Sequence, residues 1–184
     1  MNEVELIRKQ LLLERKHAFD VAGALSTAGA RSDEHHLEEP FRTVSVDYLV
    51  WILTRFEERE QTFHDLLERL SADNAERRAA EHSLALSGTS REALSKLEAA
   101  LGSEAGSLIE RVGRWTDFQH FFTGPWSVRR DALDELFSKQ AKVTDWRTAS
   151  GIDADSIFEE RTRYARVRAA LPMGIELPAP TGRA

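Results

Sequence analysis

Charged side chains stand where the helical patterning of this chain calls for apolar ones. Turned at about 100° per residue, Ile52, Phe56, Phe63 and Leu70 share one stripe, and Arg59 falls near its centre. Arg129 and Arg130 flank Trp126 and Leu133 in the same way, while Glu14 and Arg15 interrupt the stripe that Leu11 and Ala18 begin. Three helical segments thus aim charge at a core. An unpaired buried ion is strongly unfavourable, so these groups must pair, reach water or bind something. In one reading Glu14 pairs with Arg59 or Arg129 as a structural network, or the arginines run along apolar surface to solvent. In a second, the planar, permanently charged guanidinium groups of Arg15, Arg59, Arg129 and Arg130, with Glu14 and Trp126 beside them, form an inter-helical pocket that grips a carboxylate or phosphate. In a third, the same groups meet another subunit or a protein partner.

Bundles also hold metals through inward Glu and His side chains. The residues to weigh are His17 with Asp20; His35 and His36 with Glu38 and Glu39; Glu57, Glu60 and His64; and His82, Asp117 and His120. The layout resembles hemerythrin-like and ferritin-like bundles in outline. That resemblance implies an iron or manganese centre, with His17, Glu60, His64 and His120 as the ligands to test, and a metal-dependent oxidoreductase or metal-binding protein as the competing function. The motifs depart from those families, whose pairs are His-x3-Glu or Glu-x-x-His, whereas here Glu60 precedes His64 by four positions. His17 and His64 also fall at the edges of their stripes.

Other chemistries lack anchors. There is no Gly-x-Ser-x-Gly, no Gly-rich phosphate loop and no His-Glu-x-x-His. Adjacent acids such as Glu57-Glu58 and Glu159-Glu160 diverge on a helix and read as surface charge. Trp146 to Ile157 has the outline of a helix-turn-helix, but the helix that follows opens with Phe158, Glu159 and Glu160, whose charges would face phosphates. Trp115, Phe118, Phe121, Phe122 and Trp126 cluster around Gly124-Pro125 at a spacing that suits core better than a ligand cavity.

These groups need a scaffold, and composition bounds it. A chain of 184 residues, 41% hydrophobic and 30% charged, suits one globular domain. The net charge of -6 opposes nucleic-acid binding. With no cysteine, disulfides and thiolate sites are excluded and a reducing, cytoplasmic setting is expected. No apolar run approaches the roughly 20 residues of a membrane span.

Periodicity predicts an all-α bundle of four main helices, two short connecting helices and a C-terminal helix packed across it. The helices are expected over about 2–25, 44–71, 74–87, 90–101, 103–123, 126–139 and 153–171. Asp73 with Glu76 and Thr89 with Glu92 have the form of capping boxes. Residues 1–171 form the domain, and 172–184, with three of the five prolines, an extended tail. Shifted by 70 positions, Tyr48, Trp51, Ile52, Phe56, Arg59, Asp65, Leu66 and Leu67 fall on Phe118, Phe121, Phe122, Trp126, Arg129, Glu135, Leu136 and Phe137, as a duplicated hairpin would place them. The leading expectation is a non-catalytic binding or regulatory module for a small anion or a protein partner, a second copy of the chain included.

Overall fold

A computed structural model describes residues 2–31, 39–70 and 88–177, together with positions 75, 78, 82 and 85. Most helices open where a side chain takes up amides that the first turn leaves free. Asn2 and Glu5 bond each other's backbone N–H at 2.9 Å and start α1 (Glu3–Ala30). Thr89 and Glu92 do the same for α3 (Ser90–Gly102), Ser107 and Glu110 for α4 (Leu108–Phe121), and Asp153 and Ser156 for α7 (Ala154–Ala169). α2 (Glu39–Leu70) carries Pro40 in its first turn, where a missing N–H forfeits no helix bond. Pro125 sits in a π-helical turn, Phe122–Trp126, that joins α4 to α5 (Ser127–Gln140). The wide turn accommodates the lost donor, so the two helices continue one another. α6 (Val143–Ser150) stops at Gly151, whose φ of +55° suits a residue without a Cβ.

The chain is an all-α helical bundle. α1 packs against α2 and α4, α3 against α2 and α4, and α6 and α7 lie against α1 and α2. The larger apolar core joins Ala18, Leu25, Tyr48, Ile52, Phe56, Trp115, Phe118, Phe122, Trp126 and Val167. A smaller one joins Ile7, Leu11, Phe63, Trp146 and Ala149. On α1 the two cores are separated by Glu14 and Arg15, and on α2 by Arg59 and Glu60. A polar layer therefore cuts across the apolar interior.

Several boundaries differ from those expected. α1 continues past Leu25 because Gly29 is not a break: a Cβ there would overlap the indole of Trp115, so glycine permits close helix packing. α2 begins at Glu39, five residues before Val44, with Pro40 opening the helix. The helix expected from Ser103 is divided by a 3₁₀ turn, Ser103–Ala105, before Ser107 caps α4. α6 was not expected. The helix over 74–87 lies outside the described residues except for Ala75, Arg78, His82 and Ala85, all helical. Of the stretch from 172 onward, Ile175 is buried against the larger core and the Gly174 carbonyl accepts a bond from Arg31 Nη2 at 2.8 Å. The 70-residue echo pairs buried positions at Tyr48 with Phe118, Ile52 with Phe122, Phe56 with Trp126 and Arg59 with Arg129, but Trp51 is half-buried and Glu135 exposed.

Candidate functional site

The polar layer is built from facing sides of α1, α2 and α5. Arg59 Nη1 donates to Glu14 Oε2, joining α2 to α1. Glu60 receives two arginines from α5: Arg129 through Nε at 2.5 Å, and Arg130 through Nη2. Arg130 also donates from Nη1 to the Phe56 carbonyl at 3.1 Å and from Nη2 to Ser90 Oγ at 2.9 Å. Ser90 Oγ accepts a second group, Trp126 Nε1, at 3.2 Å. The hydroxyl is held there because Gly88, at φ +107°, packs so tightly on the Pro125 carbonyl that a Cβ would overlap it. Arg15 reaches outward, with Nη2 2.7 Å from Asp131 and Nη1 3.1 Å from Asp134.

All six residues of the anion site read from the sequence thus meet in one layer. Arg59, Arg129, Arg130 and Arg15 have side chains 6%, 6%, 8% and 9% exposed. Of their carboxylate partners Glu14 and Glu60 lie as deep, whereas the side chains of Asp134 and Asp131 are 28% and 68% exposed. Four buried guanidinium groups are balanced at depth by two carboxylates. The Glu14–Arg59 contact is single-pointed: Glu14 Oε1 and Arg59 Nη2 are buried without partners, as is Arg130 Nε. Burial lowers the Arg130 pKa, with Glu60 opposing, and burial raises that of Asp134, against the pull of Arg15.

Two clefts open onto the layer. One, of about 220 Å³, is lined by Arg55, Glu58, Arg59, Thr62 and the end of α6 at Thr148 to Gly151. Arg55 lies one turn before Arg59, and its guanidinium sits 4.9 Å from the centre of the Trp51 ring. Burial first, then repulsion from Arg59, lowers the Arg55 pKa. Its Nε has no partner. The other cleft, of about 300 Å³, is lined by Glu57, Glu60, Gln61, His64, Thr89 and Arg129.

The residues considered for metal do not converge. Glu60 is engaged by two arginines, His64 lies on the second cleft, His120 is exposed on α4, and His17 faces α7. His82 and Asp117 are exposed, and His35, His36 and Glu38 lie outside the described residues. No group of three His, Asp or Glu side chains among the described residues is placed to hold an ion. The aromatic patch of Trp115, Phe118, Phe121, Phe122 and Trp126 is buried core.

Glu160, read as surface charge, is instead fully buried. Its Oε1 meets His17 Nδ1 at 2.8 Å and accepts from the Tyr48 hydroxyl at 2.9 Å, fixing α7 to α1 and α2. His17 stacks on Tyr164, with ring centres 3.7 Å apart. Burial and the adjacent Glu160 carboxylate push the Tyr48 pKa well up. The spacing of Glu160 with Tyr164 and Val167 placed it on the inward stripe. Ser90, Asp131 and Asp134 were also missed, because each is recruited by a partner distant in sequence, and so was Arg55, which lies one turn from Arg59 on the same helix.

The helix-turn-helix outline is realised as α6, Gly151 and α7, with Asp153 and Asp155 at the start of α7. No helix among the described residues is long and apolar enough to cross a membrane. No protein-family model, curated protein or solved structure matches the chain.

Proposed function

We propose that this chain is a non-catalytic binding module that holds a small anion, a carboxylate or a phosphate, in the cleft at Arg55 and Arg59. The observation that carries the reading is the Arg59 guanidinium, which lines the cleft, is almost wholly buried and leaves Nη2 without a partner. Arg55 adds a second cation whose repulsion with Arg59 an anion would relieve. The hydroxyl-bearing Thr62, Thr148 and Ser150 line the cleft beside them, with the Glu58 carboxylate at its edge. Two guanidinium groups one helical turn apart suit an anion with several oxygens, each taking a charge-assisted bond. The same pair would accept an acidic side chain of a protein partner, a second copy included. With no cysteine and an acidic charge balance, the module belongs in the cytoplasm and not on nucleic acid.

The test is thermal unfolding with and without inorganic phosphate, for the wild type and Arg55→Met. At tenfold excess over Kd the wild type gains about 1.4 kcal/mol, a rise of about 3–6 °C in Tm for a chain of this size. Arg55→Met keeps the wild-type Tm in the absence of phosphate, since Arg55 holds no buried acid, and loses the rise. A phosphate response that survives Arg55→Met, or none in the wild type with phosphate or acetate, overturns the proposal.

A further inference from the structure

Inside the layer, between the two apolar cores, lies a cavity of about 20 Å³ lined by Arg15, Arg59, Arg130, Asp134, Phe56 and Leu133 among others. We infer that this cavity is a binding site for a single halide ion, chloride under cellular conditions.

Size disfavours larger anions. The space is little more than one water requires, so it suits a single small occupant better than a phosphate. Charge admits an anion: three guanidinium groups and one carboxylate line the space, and the carboxylates that pair with Arg59 and Arg130, Glu14 and Glu60, stand outside the lining. The lining carboxylate, Asp134, already accepts from Arg15 at 3.1 Å. Donors are on hand: Arg59 Nη2 and Arg130 Nε belong to side chains more than nine-tenths buried, and neither has a partner. Both guanidinium groups lie 5.9 Å from the centre of the Phe56 ring, which holds the two cations at one wall. A water there would have to direct its protons at acceptors, and the lining side chains offer only Asp134, the others being apolar or cationic. A halide takes N–H bonds from every side and supplies none.

The site shares Arg59 with the proposed cleft but not Arg55, so the two separate experimentally. In the Arg55→Met protein, whose cleft response is removed, Tm is compared in sodium chloride and in sodium methanesulfonate at equal ionic strength. Chloride raises Tm, and above its Kd each tenfold increase in chloride multiplies the folded-to-unfolded ratio tenfold. In the chain with Arg55 intact, Leu133→Phe, which fills the cavity, and the milder Leu133→Met reduce the chloride response while the phosphate response of the cleft remains. Crystals of the full chain soaked in sodium bromide show an anomalous peak in the cavity within bonding distance of Arg59 and Arg130. Equal melting in the two salts, or no bromide peak in the cavity, overturns the inference, whatever the cleft does with phosphate.

Discussion

Replacing Arg59 by Met removes the only group that bonds the Glu14 carboxylate, which is 0% exposed. Breaking a buried pair from one side costs about 3–5 kcal/mol, because the remaining ion keeps its desolvation penalty and loses its counter-charge. For a domain of this size that is a fall of about 6–20 °C in Tm. Glu14→Leu strands Arg59 in the same way. The double variant removes both charges and fills the space with apolar side chains of similar reach, so it is expected within about 1 kcal/mol of the wild type, or above it. Urea unfolding followed by far-UV circular dichroism, with m-values checked for constancy, gives the four stabilities and hence a coupling of several kcal/mol. If the single variants each cost less than about 1 kcal/mol and their effects add, the Arg59 tip is solvated and the layer does not exist as described.

Other consequences follow from the same contacts. Ser90→Ala leaves the Trp126 indole N–H without its acceptor and takes one from Arg130. At about 1–3 kcal/mol for an orphaned buried donor, this should outweigh any exposed Ser→Ala change in the same chain, as measured by urea unfolding. Glu92 accepts the Gly88 and Thr89 N–H groups at 2.7 Å, which hold its pKa below the ordinary 4.5. A lowered folded pKa gives stability that is present above 4.5 and lost as pH falls through the folded value. The stability gap between wild type and Glu92→Gln is therefore open at pH 7 and closes below 4.5, which denaturation at a series of pH values reads directly. Elemental analysis of purified protein should return no stoichiometric iron or manganese, since Glu60 is committed to arginines and His17 to Glu160. Stoichiometric metal would restore the oxidoreductase reading.

The inward charges were legible because a period near 3.6 fixes which face a residue takes, whatever its chemistry. Arg59, Arg129, Arg130, Glu14 and Arg15 are all found on the faces that the pattern assigned. Their pairing was only half legible. Glu14 with Arg59 was among the pairs considered, but the capture of Glu60 by two arginines depends on how α5 docks on α2, and no local spacing encodes that. Glu160 shows the opposite failure: its place on the Tyr164 and Val167 stripe was readable, and its adjacency to Glu159 drew it to the surface. At the boundaries, the expected gap between residues 25 and 44 contains Gly29 and Pro40. One serves helix packing against Trp115 and the other opens α2, roles set by tertiary contact and by position in the first turn. The eight residues of α6 offer only Val143, Trp146 and Ala149 as a stripe, too short to stand out.

The most direct test is a heteronuclear NMR titration of the arginine side-chain resonances with inorganic phosphate. The account predicts Arg59 signals protected from solvent exchange before addition, and a saturable shift of Arg55 and Arg59 together on addition. Arg59 signals lost to rapid exchange, or unmoved by phosphate while exposed arginines drift uniformly, would contradict it.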